Sequence, residues 1–159
     1  MIETTVKVGE LAPDFELIGS DEKKHSLKEY EGKNIVLFFY PKDNTPGCTI
    51  EAGDFRDKVE AFKDLNTVIL GISRDSLKSH DKFITKLSLS YVLLSDESEE
   101  VCNLYGVLKD KNMFGKKVKG IERSTFIIDK NGLLIKEYRK VKVNGHADEV
   151  EEFLKTINK

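Results

Sequence analysis

The chain has 159 residues, of which 39% are hydrophobic and 34% are charged. This length and composition suit one globular domain spanning residues 1–159, and neither an internal repeat nor a low-complexity linker divides it. The 26 basic and 28 acidic residues give a net charge of −2, which speaks against a nucleic-acid-binding protein.

The sequence has few features that indicate a cellular location. The first ten residues include Glu3 and lack an apolar core, so no secretory signal is expected. The longest apolar run, Ile35–Tyr40, is far shorter than the ~20 residues that span a membrane. Two cysteines are too few for a disulfide framework or a closed zinc site, and the three histidines form no metal-binding pattern. We therefore expect a cytoplasmic protein with no metal and no membrane partner.

Short apolar segments predict the strands. The first segment, Asn34–Tyr40, is continuously apolar after its first residue and ends at Pro41, which is typical of a central strand covered on both faces. Three later segments repeat the pattern, and Tyr91–Leu94 does so most weakly. The four predicted strands are Asn34–Tyr40, Thr67–Ile72, Tyr91–Leu94 and Ser124–Ile128.

Helical periodicity fills the intervals between these strands. Apolar residues spaced by three or four predict one helix through Ala52, Phe55, Val59 and Phe62. Asn131-Gly132 predicts a hairpin after the last strand. Further helices are expected at Leu77–Leu87, Glu97–Tyr105 and about Ala147–Ile157. The order indicates an α/β protein, a mixed central sheet with helices on both faces, and no nucleotide-binding glycine motif is present.

The turn after the first core strand places a cysteine at a helix start. Thr45 suits the N-cap, and Pro46 suits the first helical position. Gly47 and Cys48 then lie in the first turn, where unpaired N–H groups and the helix dipole favour a thiolate. The alternative is structural, because Cys48 lies four residues before Ala52 and extends the apolar stripe.

The segment PKDNTPGCTIEA resembles the active-site loop of peroxiredoxins, with the pattern P-x-x-x-T-x-x-C at Pro41, Thr45 and Cys48. The form T-P-G-C-T-x-E-A is similar to the bacterioferritin comigratory protein (PrxQ-type) branch. The resemblance implies a thioredoxin-like fold and thiol-dependent reduction of hydrogen peroxide and organic hydroperoxides. It covers nearly the whole chain, through Ala12–Phe15, Phe39–Pro41, Gly71–Ser73, Leu94–Asp96, Tyr105–Val107 and Arg123–Asp129.

The resemblance also implies roles for the site residues. Cys48 attacks the peroxide and becomes a sulfenic acid, while Arg123 stabilises the thiolate and binds peroxide oxygens. A structural ion pair is the alternative for Arg123. Thr45 would cap the helix with its hydroxyl and contact the sulfur, and Pro41 would shape the loop and exclude water. Glu51 either orients Arg123 or is a solvated helix residue.

This chemistry needs no cofactor, and its implied partners are a hydroperoxide and thioredoxin or another thiol reductant. We expect a monomer or weak dimer. One alternative function is a redox-inert thioredoxin-like binding or chaperone module, which the intact motif argues against. Another is a disulfide oxidoreductase, but Glu51 occupies the position of the second cysteine in C-x-x-C.

The step that recycles the sulfenic acid departs from the family. Many PrxQ-like proteins carry a second cysteine where this chain has Gly53, and a known later placement, within Asp81–Leu87, also lacks one. Cys102 is the remaining thiol, and its helix position predicts partial exposure. It could form a disulfide with Cys48 after local unfolding, but we expect a one-cysteine enzyme that is reduced by an external thiol.

Five lysines lie between Lys109 and Lys119, around Met113-Phe114-Gly115. This composition is typical of a solvated loop. A docking surface for a reductase is the alternative, and nucleic acid is not expected at this net charge.

Overall fold

The computed structural model describes residues 6–157, except for the side chain of Met113. The strands are β1 (Glu16–Gly19), β2 (Lys24–Ser26), β3 (Asn34–Phe39), β4 (Thr67–Ser73), β5 (Val92–Ser95), β6 (Leu108–Met113), β7 (Lys116–Ile121), β8 (Ser124–Ile128) and β9 (Leu134–Tyr138). The helices are α1 (Pro46–Arg56), α2 (Val59–Asp64), α3 (Leu77–Leu87), α4 (Glu100–Leu104) and α5 (His146–Ile157). Seven strands form one sheet in the order β2-β1-β5-β4-β3-β8-β9, and β6 pairs with β7 separately.

β3 lies in the middle of the large sheet, and all six of its residues are buried. It pairs in parallel with β4 and antiparallel with β8. Because both faces of such a strand are covered, its sequence after Asn34 is continuously apolar rather than alternating. β5 extends the parallel part beyond β4, and β9 forms the antiparallel edge beyond β8. Gly132 has a φ of +84° in the turn that joins β8 to β9, which confirms the predicted hairpin.

Helices cover both faces of the sheet, as the element order predicts. One face packs against α1, α2, α3 and α5 through Phe55, Phe62, Phe83 and Val150. The opposite face packs against α4 and the segments around it. No helix in the described range is long and apolar enough to cross a membrane.

The single helix predicted through Phe62 is wrong. α1 ends at Arg56, and α2 begins at Val59. Lys58 bonds its N–H to the carbonyl of Phe55 at 3.0 Å, only three residues back, so the last turn tightens and stops. The break still leaves Phe55 and Phe62 buried together, with ring centroids 6.3 Å apart. The periodicity therefore identified the buried face but not the interruption.

The loop predicted over Lys109–Lys119 is also wrong, because β6 and β7 form a regular antiparallel hairpin there. Its turn consists of Phe114 and Gly115, both with positive φ, at 53° and 78°. Such turns favour Asn-Gly or Asp-Gly, so a phenylalanine at the first position conceals the signal. The helix expected from Glu97 is shorter than predicted and begins at Glu100.

Candidate active site

The loop that follows β3 leads directly into α1, and Cys48 lies in the first turn of that helix. Thr45 is the N-cap in extended conformation, and its carbonyl accepts the N–H of Thr49 at 2.8 Å. Pro46 occupies the first helical position. These features confirm the helix start predicted from the sequence. Cys48 is only 1% exposed, at the carboxyl end of a central parallel strand, where α/β sheets hold their ligands.

The predicted capping bond of the Thr45 side chain is wrong. Its hydroxyl donates to the carbonyl of Lys42 at 2.8 Å and makes no bond to a first-turn N–H. The reason is the tight path of the loop, which brings the carbonyl three residues back within reach of the hydroxyl. Thr45 therefore braces the loop internally and leaves the N–H groups of the first turn available to other acceptors.

Arg123 reaches the cysteine from the neighbouring strand. It lies immediately before β8. β8 pairs antiparallel with β3, matching Ser124 to Phe39, so the residue before β8 falls beside the loop that follows β3. The guanidinium donates from Nη2 to Sγ of Cys48 at 3.4 Å. The sheet thus brings together two residues that lie 75 positions apart.

Glu51 holds the other side of the guanidinium, since Nη1 of Arg123 donates to its Oε1 at 2.6 Å. Glu51 is 2% exposed, so it is a buried partner of Arg123 and not a solvated helix residue. Burial raises the pKa of Glu51 to about 7, although Arg123 pulls it down. Burial would lower the pKa of Arg123, but Glu51 and Cys48 raise it above its ordinary value. Oε2 of Glu51 is buried without a hydrogen-bond partner among the described residues.

Gly47 contributes to the site in a way that the sequence analysis missed. A Cβ atom at this position would lie 3.0 Å from Nη2 of Arg123. That separation is tighter than an ordinary van der Waals contact, so a side chain here would press on the guanidinium that contacts Cys48. The glycine before the cysteine therefore leaves room for Arg123.

Pro41 lies two residues after Phe39, the last residue of β3, and is half-buried at the entrance to the loop. Its ring removes one N–H donor and fixes φ, which ends the strand before the helix begins.

Cys102 does not approach Cys48. It is 0% exposed, so the predicted partial exposure is wrong. Its helix α4 packs against the sheet, and its N–H donates to Oδ2 of Asp96 at 2.7 Å. Burial raises the pKa of the Cys102 thiol, and the Asp96 carboxylate raises it further. Cys48 belongs to the core on one face of the sheet and Cys102 to the core on the other.

Comparisons with known proteins agree with this geometry. Residues 8–137 match the AhpC/TSA family. The chain is 51% identical to Peroxiredoxin Bcp of Bacillus subtilis, over 97% of this chain and 98% of that protein. The chain belongs to the peroxiredoxins, in their Bcp or PrxQ branch. It is also 37% identical to Peroxiredoxin Bcp of Escherichia coli, over 94% of this chain and 96% of that protein.

Solved structures confirm the thioredoxin-like fold. Peroxiredoxin Q of Xanthomonas campestris is similar with a TM-score of 0.87 and 46% identity, covering 91% of this chain and 92% of that one. A PrxQ cysteine mutant of Xylella fastidiosa has a TM-score of 0.92 and 37% identity, covering 99% and 100%. A structure concerned with alkyl peroxide reduction by the Xanthomonas campestris bacterioferritin comigratory protein has a TM-score of 0.89 and 42% identity, covering 99% and 100%.

Membership of this branch establishes the type of reaction. The chain is a thiol peroxidase, an oxidoreductase that reduces peroxides with electrons from a thiol. The alternative of a redox-inert binding or chaperone module is not favoured.

Proposed function

We propose that Cys48 is the nucleophile of this peroxidase and that Arg123, Thr45 and Pro41 complete its site. The contact between Arg123 Nη2 and Cys48 Sγ, at 3.4 Å, carries the proposal. A cation with several fixed donors stabilises a thiolate, and the start of α1 adds unpaired N–H groups and the positive end of the helix dipole. Both act on the same sulfur.

The reaction follows from this arrangement. The Cys48 thiolate attacks the terminal oxygen of a hydroperoxide, ROOH, in line with the O–O bond. The S–O bond forms as the O–O bond breaks, so Cys48 becomes a sulfenic acid and an alkoxide leaves. The alkoxide takes a proton from water and departs as ROH. Arg123 favours the transition state because its N–H groups are fixed where negative charge grows on the leaving oxygen.

Thr45 and Pro41 fix the geometry of the loop that leads into α1. Thr45 holds the loop closed through its bond to Lys42, which fixes the start of α1 and with it the sulfur. Pro41 prevents β3 from continuing beyond Tyr40 and limits the access of water to Cys48, which is itself almost fully buried. A dry and fixed site strengthens the attraction between the thiolate and Arg123.

We further propose a one-cysteine cycle. A disulfide requires Cα atoms within about 7 Å, and the central sheet separates the core that holds Cys48 from the core that holds Cys102. Burial and the raised pKa of Cys102 also make it a poor nucleophile. Mass spectrometry without reductant, after one equivalent of peroxide, should show a sulfenic acid or a mixed disulfide at Cys48. A Cys48–Cys102 disulfide would overturn this proposal.

The substrates, the reductant, the location and the assembly complete the proposal. We propose hydrogen peroxide and organic hydroperoxides as substrates, the latter supported by the alkyl peroxide activity named for the Xanthomonas campestris relative. We propose thioredoxin as the reductant, the cytoplasm as the location and a monomer or weak dimer as the assembly. Turnover with thioredoxin, glutaredoxin and glutathione systems, together with analytical ultracentrifugation, tests the reductant and the assembly.

Peroxide consumption with dithiothreitol tests the site itself. Cys48→Ser should abolish turnover, because serine cannot form a sulfenic acid. Cys102→Ser is the matched control, since it removes the second thiol from the opposite face, and it should retain turnover. Residual activity in Cys48→Ser, or its loss in a folded Cys102→Ser, would contradict the proposal.

A further inference from the structure

A second buried polar cluster lies beneath the active-site loop and takes no part in the chemistry described above. Its centre is the carboxylate of Asp43, whose side chain is 2% exposed. Oδ1 accepts the hydroxyl of Tyr40 at 2.5 Å. Oδ2 accepts the hydroxyl of Ser79 at 2.9 Å and lies 2.7 Å from Nδ1 of His80. Tyr40, just after β3, and two residues of α3 thus converge on one carboxylate of the loop.

Further bonds hold the same loop from below. The backbone N–H of Asp43 donates to Oδ2 of Asp75 at 2.8 Å, and the hydroxyl of Ser73 donates to that oxygen at 2.6 Å. The next loop residue, Asn44, accepts a hydrogen bond from Lys86 of α3 at 2.6 Å. The loop before Cys48 is therefore fixed to α3 and to the end of β4.

The proton count at His80 is unusual. Nε2 lies 3.0 Å from the carbonyl oxygen of Leu94, which can only accept. Nδ1 faces Oδ2 of Asp43, and an ionised carboxylate also only accepts. A neutral ring carries one N–H and cannot satisfy both oxygens. The hydroxyl of Tyr40 is 3.4 Å from Nδ1, but it is committed to Asp43 at 2.5 Å. Both oxygens receive a hydrogen bond only if the pair holds one proton more than a neutral imidazole beside a carboxylate.

The other two histidines show why this matters. Tyr30 places its hydroxyl 2.8 Å from Nδ1 of His25, where the exposed Glu29 carboxylate also lies 3.2 Å away, and Thr125 places its hydroxyl 2.8 Å from Nε2 of His146. A hydroxyl can donate to a ring nitrogen, so a neutral ring satisfies each site. Burial lowers the pKa of His146, which agrees with a neutral ring. His80 instead meets an acceptor at each nitrogen.

We propose that His80 and Asp43 are positioning residues for Cys48, with a buried, doubly protonated His80 bonding to Asp43 and thereby fixing the loop that starts α1. The inference rests on the proposed role of Cys48. The charged and titratable groups that face the pair are Tyr40, which follows β3, and Asp75 from the segment after β4. Because Asp75 is a second carboxylate, the extra proton on His80 offsets negative charge in a buried site.

The same cluster has the composition of a cation site, since Asp43, Asp75 and His80 place ligand atoms within 4.8 Å of one another. Each of these three groups is already engaged in a hydrogen bond within the network. The direct contact of 2.7 Å between His80 and Asp43 satisfies the two groups that a metal ion would need to separate. Hydrogen bonding accounts for the cluster.

The ring protons provide a direct test that does not depend on activity. Nitrogen-15 NMR of the reduced parent protein at about pH 8, where an ordinary histidine is neutral, should show both ring nitrogens of His80 protonated. His146 in the same spectrum is the internal control and should show a neutral ring. A single proton on the His80 ring would overturn the proposal, whether or not Cys48 proves to be the nucleophile.

Two substitutions of the same residue test the positioning role. Asp43→Ala removes the anchor and should slow the second-order reaction of Cys48 with peroxide by about tenfold or more, because misplaced reacting groups lose rate steeply. Asp43→Asn can accept from Tyr40 and donate to a neutral His80, so it should restore the rate to within about threefold of the parent. Its His80 ring should then carry one proton.

The matched control is Asp21→Ala, which removes the carboxylate beside His25 near the β1–β2 edge of the sheet and should leave the peroxide rate unchanged. Circular dichroism confirms that each variant is folded. If Asp43→Ala is no slower than Asp21→Ala, or Asp43→Asn is as slow as Asp43→Ala, the positioning role is refuted. Peroxidase activity that persists in Cys48→Ser refutes the proposed function instead.

Discussion

Replacing Glu51 with glutamine tests the electrostatics of the buried carboxyl beside Arg123. Burial raises the pKa of Glu51 from 4.5 to about 7. Between these values the folded protein holds a proton that the unfolded chain has released. The contribution of the Glu51 carboxyl group to stability is therefore fully present below pH 4.5 and is lost as the pH rises through about 7. The full change corresponds to roughly 3 kcal/mol in the free energy of unfolding.

Urea unfolding of the reduced protein at about pH 5 and about pH 8 measures this change. Glutamine does not titrate, so the parent should lose roughly 2 to 3 kcal/mol more than Glu51→Gln over this interval. Glu60→Gln is the control, because it removes an exposed carboxylate from the neighbouring helix and should follow the parent. The reasoning fails if the parent and Glu51→Gln show the same dependence on pH.

Three further substitutions test contacts in and around the site. Arg123→Lys should lower the second-order rate constant with hydrogen peroxide by about tenfold in stopped-flow measurements. The reason is that one ammonium group cannot reproduce the planar donors that contact Glu51 and Cys48. A change below about twofold would show that Arg123 is merely structural. Gly47→Ala should slow the same reaction by about threefold or more through displacement of Arg123, without a loss of stability, since alanine favours helices by up to ~1 kcal/mol. Tyr91→Phe removes a buried bond of 2.8 Å to the carbonyl of Ala52 and should lower the free energy of urea unfolding by about 1 kcal/mol. An unchanged midpoint would show that this bond adds nothing.

Local patterns were sufficient for the elements that position the site. The strand Ser124–Ile128 and the helix Leu77–Leu87 have the predicted bounds. The strand is a short run, mostly of β-branched and aromatic residues, that is buried throughout, and the helix has an N-cap at Ser76 whose side chain accepts the N–H of Ser79. The start of α1 was predictable for the same reason, because the preferences of threonine and proline at the first positions act within a few residues.

Contacts between distant segments could not be derived in this way. Arg123 was placed in the site by family resemblance, and its contact with Cys48 depends on the pairing of β8 with β3. Glu51 was ambiguous because helical spacing does not show what covers a side chain. The exposure of Cys102 was misjudged for a related reason, since α4 is short and packs against the sheet with residues from several elements.

The placement of the two thiols on opposite faces of the sheet has a kinetic consequence. In the proposed one-cysteine cycle, the only other thiol of the chain lies beyond the sheet from Cys48, so the lifetime of the sulfenic acid depends on the concentration of external reductant. A second peroxide competes for the same sulfur and oxidises it to sulfinic acid. The fraction of enzyme inactivated in each cycle is then set by the ratio of these two bimolecular rates, and it increases whenever the supply of reductant falls behind that of peroxide.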